Sequence, residues 1–158
     1  LDDKNSGARG RRRFRQAGLT DSDYNALGEF RRAIREFLAV SQEGAQDYGL
    51  TAQQHQALLA IRTYAGSGAM TIGELAECLM IKSHSAVGLV TRLEERDLVL
   101  RRVSEEDRRK ALLELRPRGA EVLEAISLRN LRQIGRAAET LENVVATVRR
   151  LGRHEDPS

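Results

Sequence analysis

Three observations predict a mainly α-helical chain with one small two-stranded β-unit. Only two prolines, Pro117 and Pro157, occur in 158 residues, so nothing before 117 carries the ring that breaks a helix. Apolar residues recur at steps of three and four over most of the length, the period of a helix with one buried face. Only two short runs, Leu98 to Val103 and Lys110 to Leu115, are Val- and Leu-rich in the manner of strands. At this length one domain with a real core is expected, and a 41% hydrophobic share argues against a disordered or fibrous chain.

The elements follow in order. Thr20-Asp21 reads as a helix start, and Tyr24, Leu27, Phe30, Ile34, Phe37, Leu38 and Ser41 continue it as a long amphipathic helix over about 22–46. Gly49 stops that helix, and Thr51 caps a second, about 51–65, that runs to the Gly66-Ser67-Gly68 break. Thr71-Ile72-Gly73-Glu74 matches the capping box, in which a Thr hydroxyl and a Glu carboxylate each satisfy a free backbone N–H. It opens a short third helix, about 71–79, with Ile72, Leu75, Ala76 and Leu79 inward. A fourth, about 82–96, should bury Ala86, Leu89, Val90 and Leu93 and expose the small, polar stripe Ser85, Gly88, Thr91, Arg92 and Glu95. The two strands come next, joined by the polar tip Ser104 to Arg109. Pro117 then stands where a first-turn proline is tolerated, Val122, Leu123, Ile126, Leu131 and Ile134 run helically, and Leu141, Val144, Val145, Val148 and Leu151 form a last helix. The middle, a short helix, a tight turn, a second helix and a two-stranded wing, is the winged helix-turn-helix arrangement.

Charge is informative once divided. Lys4, Arg9, Arg11, Arg12, Arg13 and Arg15 against Asp2 and Asp3 give residues 1–18 a net charge of +4, which leaves −1 for the rest. A basic partner-seeking surface on the body must therefore be a local cluster. One exists in Arg101, Arg102, Arg108, Arg109, Lys110, Arg116 and Arg118. No apolar run approaches the roughly 18 residues of a membrane span, the first residues are charged rather than shaped like a signal peptide, and the single Cys78 cannot form an intrachain disulfide. No membrane partner and a cytoplasmic location are expected.

The start of the fourth helix suits a DNA groove, which admits one helix showing small or hydrogen-bonding residues. Lys82, Ser83, His84 and Ser85 can donate to phosphates or bases, and free N–H groups at a helix N-terminus favour an anion. Gly88 costs about 1 kcal/mol relative to Ala within a helix; it is read either as close backbone approach to DNA or as a tolerated glycine. At the hairpin tip Arg108 and Arg109 are long enough to enter a minor groove or clamp phosphates, with Asp107 beside them to fix their angle.

The stretch Thr71 to Gly119, above all SAVGLVTRLEERDLV and the D-x-R of Asp107-Arg108-Arg109, resembles the MarR family of bacterial winged-helix transcription regulators. With the flanking helices the likeness covers about 20–152. The resemblance implies a homodimer whose first and last two helices form a dimerisation platform, with one recognition helix per subunit in the major groove of a palindrome. Beside the basic tail over 1–18 that the charges define, it implies a single regulator domain over 19–158, with a DNA-binding lobe at about 51–116 and dimerisation helices at about 20–48 and 118–152. Ser83, His84, Ser85 and Arg92 fall on recognition-helix positions, Arg108 and Arg109 on the wing, and Asp107 on the position that orients a wing arginine. Thr71, Lys82 and Gly88 complete the expected DNA-binding set. Two positions depart from the family pattern: Asp97 stands where Gly is common, and Arg116 where Thr is usual before the next helix. Asp tolerates the left-handed conformation better than most residues.

Other chemistries find less support. His55, His84 and His154 show no ligand spacing, so no metal or other cofactor is expected, and no nucleophile, base and acid set or phosphate loop points to an enzyme. Cys78 is read as structural or incidental, with a redox sensor as the alternative, since reactivity needs a lowered pKa that spacing does not reveal. Tyr24, Phe30, Phe37, Tyr48 and Tyr64 are assigned to core or dimer interface. The resemblance adds a possible small anionic or aromatic effector, for which Arg31, Arg32, Arg35 or Arg62 are the candidate partners; an ordinary surface ion pair is the alternative for each. The reading is thus a ligand-responsive repressor that binds double-stranded DNA. Its alternatives are a winged-helix protein-interaction module and a non-specific architectural binder driven by the arginine tail.

Overall fold

The computed structural model describes residues 19–66, 69–104, 107 and 110–152. The basic tail and the wing arginines Arg108 and Arg109 lie outside the described residues. Helix α1 (Asp21–Asp47) begins in a complete capping box: Asp23 N–H donates to the Thr20 hydroxyl at 3.3 Å, and the Asp23 carboxylate accepts from Thr20 N–H at 2.8 Å. It ends where Gly49 turns left-handed at φ +65° and Leu50 N–H reaches back to the Ala45 carbonyl at 2.9 Å. Helix α2 (Ala52–Thr63) carries a second box between Thr51 and Gln54. A third, between Thr71 and Glu74, opens α3 (Ile72–Cys78). Helix α4 (Ser83–Glu94), strands at Val99–Val103 and Ala111–Leu115, α5 (Pro117–Arg136) and α6 (Ala138–Gly152) complete the expected order.

The sheet corrects the expectation of two strands. Met70–Thr71 forms β1 and pairs antiparallel with Ala111–Leu115, now β3, so that with Val99–Val103 as β2 the order is β1-β3-β2. The register sets Met70 opposite Leu113 and Arg101 opposite Leu113 on the other side. Two residues are too few to show a period-two pattern, and their partner lies some forty positions away.

The core forms where α2, α3, α4, α5 and the sheet meet. Leu58, Leu75, Leu89, Leu93, Leu113, Ile126, Val90 and Val99 are its largest fully buried side chains. The inner stripe of α4 is buried as its spacing requires, through Ala86, Leu89, Val90 and Leu93. At about 25 cal/mol per Å² of apolar surface, each such Leu or Val contributes roughly 1.5–3 kcal/mol, which fixes the outer stripe of α4 toward solvent.

Helix α1 behaves differently. Of its 27 residues only Asp23, Gly44 and Ala45 are buried. Tyr24, Leu27, Ile34 and Leu38 stand exposed, and Leu128, Leu131 and Ile134 on α5 and Val145 and Val148 on α6 are exposed as well. Phe30 and Phe37 line an apolar hollow of about 240 Å³ that α1 shares with Ile134, Ala137 and Leu141.

Candidate nucleic-acid interface

The N-terminus of α4 has Lys82 as its N-cap with no side chain capping it; the Ser85 N–H turns back to the Lys82 carbonyl at 2.9 Å, and the N–H groups of Ser83 and His84 are those that a helix start leaves without internal partners. Ser83, His84 and Ser85 follow in the first turn, all exposed, and Arg92 is exposed two turns later. Among the described residues none of the side chains of Lys82, Ser83, His84, Ser85 and Arg92 makes a hydrogen bond or ion pair. Gly88 lies between them. A Cβ there would stand 3.4 Å from Arg92 Nη1, so the glycine leaves room for the Arg92 guanidinium to lie back along the helix.

Three polar ties hold α4 from outside the core. Arg101 on β2 donates from Nη2 to Glu94 at 3.0 Å and to the Thr91 hydroxyl at 3.3 Å, while its own backbone N–H reaches Glu94 at 3.1 Å. The Thr91 hydroxyl donates to the Val87 carbonyl at 3.0 Å, so it is committed within the protein although sequence placed it on the outward stripe. Arg96, just past the helix, donates to the carbonyls of Tyr48, at 2.7 Å, and Gly49. Its charge thereby meets the negative end of the α1 dipole and ties that C-terminus to the end of α4. The third tie joins the two departures from the family pattern: Asp97 adopts φ +59°, and Arg116 Nε donates to its carboxylate at 2.8 Å.

The other expected positions divide. Thr71 spends its hydroxyl in the capping box, donating to Glu74 at 2.7 Å. Glu74 also accepts from the Tyr64 hydroxyl; that bond, with the Thr71 N–H and hydroxyl, holds its carboxyl below the usual range. Asp107 sits at the hairpin neck, where its N–H donates to Ser104 at 3.3 Å and Lys110 N–H donates to its carbonyl at 2.8 Å. Arg31 and Arg35 stand exposed on α1, Arg32 pairs with Glu29 and Glu36, and Arg62 lines a separate groove of about 250 Å³ against Met70, Leu113 and Glu114. The effector arginines are therefore not gathered into one pocket.

Sequence reasoning missed a cationic groove of about 360 Å³ on the α1–α5 face, lined by Val40, Arg129, Arg132, Gln133 and Arg136. The spacing of three and four between its arginines was the available signal. Arg129 is bound across the helices by Glu43 at 2.9 Å and Asp47 at 2.7 Å. Cys78 is exposed. His55 is buried with Nε2 unpartnered, and burial lowers its pKa from the ordinary value. Among the described residues no group of three His, Cys, Asp or Glu could hold a metal, and no helix is long and apolar enough to cross a membrane.

Residues 48–110 match the model of the MarR family. The HTH-type transcriptional repressor NicR of Pseudomonas putida is 33% identical over 96 residues, 61% of this chain, and the match spans 59% of that relative's length. Among solved structures, the F27L mutant of MepR from Staphylococcus aureus bound to an oligodeoxyribonucleotide superposes with a TM-score of 0.61 at 20% identity, covering 88% of this chain and 100% of that one. BpsR of Bordetella bronchiseptica, whose DNA binding is regulated by 6-hydroxynicotinic acid, does so with a TM-score of 0.56 at 25% identity, covering 89% and 100%.

Proposed function

We propose that this chain is a MarR-family homodimeric repressor that binds a palindromic operator and leaves it when a small effector binds, a reading supported by the family match of its winged-helix segment and by its fold. The observation that carries the proposal is the outer edge of α4, where Lys82, Ser83, His84, Ser85 and Arg92 stand exposed without partners beside an uncapped helix N-terminus. Cations there neutralise phosphates, and the short hydroxyl side chains let the helix approach base edges. In this reading Arg108 and Arg109 hold the flanking minor groove, and Asp107 orients them. The uncovered apolar faces of α1, α5 and α6 support a second copy as the partner of the platform.

Release follows from linkage. An effector shifts the equilibrium only by its preference for a dimer whose two recognition helices no longer match major grooves about 34 Å apart. A preference of about 1–3 kcal/mol changes operator affinity roughly 5- to 150-fold. The 6-hydroxynicotinic acid that regulates BpsR supports a small anionic or aromatic effector, with Arg31, Arg35 or Arg62 as alternative partners on separate surfaces.

The test is binding of the purified chain to the DNA upstream of its own coding sequence and to a scrambled duplex of equal length, across a salt series. A preference of at least about 10³ for the upstream DNA is expected of a specific regulator. Equal, steeply salt-dependent binding to both, lost on deleting residues 1–18, would instead make the chain a tail-driven architectural binder. Binding to neither would favour the interaction module.

A further inference from the structure

We infer that Val87 is the residue through which α4 reads the methyl group of a thymine, an inference that rests on the DNA-binding reading above. The exposed residues of α4 are Ser83, His84, Ser85, Val87, Thr91 and Arg92, and Val87 is the one wholly apolar side chain among them, 43% exposed. It has no part in the core, which α4 meets through Ala86, Leu89, Val90 and Leu93. Folding gives no reason for it, since a β-branched residue on the exposed side of a helix is a weaker helix former than alanine or a long polar residue.

Its surroundings define what it can recognise. One turn toward the N-terminus lie Ser83 and His84, at the end of α4 that would enter the groove; one turn the other way lies Thr91. The Thr91 hydroxyl is occupied on both sides, donating to the Val87 carbonyl at 3.0 Å and accepting from Arg101 at 3.3 Å. The Val87–Thr91 edge therefore offers no free hydrogen-bond donor, while the start of the helix offers several. Of all the groups a base pair presents in the major groove, the thymine C5-methyl is the one that such an apolar edge can select. A valine suits the task because its branched Cβ leaves one strongly preferred rotamer in a helix, so little side-chain freedom is lost on contact. The Arg101–Glu94–Thr91 tie fixes the height of this edge relative to the wing.

The experiment begins with selection of the preferred duplex from a random pool by the full chain. Each thymine of that duplex is then replaced singly by deoxyuridine, which removes the methyl and leaves the hydrogen-bonding pattern intact. Wild type and Val87→Ala are titrated against the series. At one thymine per half-site, loss of the methyl should weaken wild type about three- to fivefold, the worth of one buried methyl. Val87→Ala should bind the thymine and uracil duplexes equally at that position, with an unchanged salt dependence because no charge is lost. A wild type indifferent to every methyl, or a Val87→Ala protein that keeps the same sensitivity, overturns the assignment while leaving sequence-specific binding intact. Failure to select any sequence overturns the DNA-binding reading itself, and the role of Val87 with it. Val87 is exposed and alanine is the better helix former, so the variant should fold; an unaltered circular dichroism spectrum checks this.

Discussion

Replacing Gly119 by alanine should be among the most damaging one-carbon changes available in this chain. Gly119 is buried in the first turn of α5, and a Cβ built on it would lie 2.0 Å from the Leu98 carbonyl oxygen, 2.9 Å from its carbon and 3.2 Å from Leu98 Cα. All three are main-chain atoms of the turn that joins α4 to β2, so no side chain can swing aside. Relief to an ordinary contact requires α5 and that turn to separate by more than about 1 Å. The same carbonyl accepts from Arg116 N–H at 3.0 Å, and the separation breaks this bond. Forced overpacking costs about 1–3 kcal/mol, and a buried polar group left unpaired costs about 1–3 kcal/mol. The two overlap in part, and the lower entropy of unfolded alanine returns about 0.4–1 kcal/mol, so a net loss of about 2–4 kcal/mol is expected. Urea unfolding followed by far-ultraviolet circular dichroism reads this, with wild type and variant at equal protomer concentration because association adds to stability. Gly73→Ala is the control. Its Cβ would meet nothing nearer than the Thr71 hydroxyl at 3.9 Å, so it should be neutral or stabilising by up to about 1 kcal/mol. A Gly119→Ala protein within about 0.5 kcal/mol of wild type, the range of ordinary surface changes, would refute the close approach of α5 to the turn that follows α4.

Three further expectations use different handles. A double-mutant cycle on Asp97→Ala and Arg116→Ala should give a coupling of about 0.2–1 kcal/mol, the range for exposed ion pairs; zero coupling would mean that the 2.8 Å contact does not fix the turn in solution. The Asp23 carboxyl is lowered from 3.8 to about 2, first by the Thr20 N–H and then by Arg150 and the Thr20 hydroxyl. A depressed carboxyl stabilises the fold fully above its unfolded value near 3.8, and that stabilisation is lost as pH falls toward 2; Arg150→Ala should move the Asp23 midpoint upward in an NMR titration, and an unmoved midpoint would refute the α1–α6 tie. Under the proposed dimer, Leu131→Asp and Val148→Asp, at side chains 63% and 62% exposed, should give monomers by light scattering at micromolar concentration; persistent dimers would place the interface elsewhere.

What was legible in the sequence was mostly local. The boxes at Thr20, Thr51 and Thr71 depend on partners three residues on, and each forms where the pattern placed a helix start or the opening of a capping box. The buried stripe of α4 follows from its period alone. Contacts that depend on meeting across the chain were not legible. Strand β1 exists because β3 is beside it, and the carboxylate that answers Arg101 comes from α4 rather than from a neighbour on the strand. The departures at Asp97 and Arg116 read as separate irregularities until folding brings them within 2.8 Å, when a residue held left-handed and the cation before α5 become one joint.

The periodicity of α1 shows the same boundary between local and assembled structure. Its stripe of Tyr24, Leu27, Ile34 and Leu38 is regular enough to define a face that must leave water, yet the chain itself leaves all four exposed. A periodic pattern states that a face requires cover and is silent about which chain supplies it. At about 25 cal/mol per Å², leaving that face wet together with Leu131 and Val148 forgoes several of the contributions that hold the core around α4. A second copy bringing the same helices supplies an equally apolar face without any new sequence feature, as a two-fold interface requires. The operator-binding geometry and the stability of α1 would then rest on one contact. Dilution of the protomer should therefore lower the apparent melting temperature and the DNA affinity together.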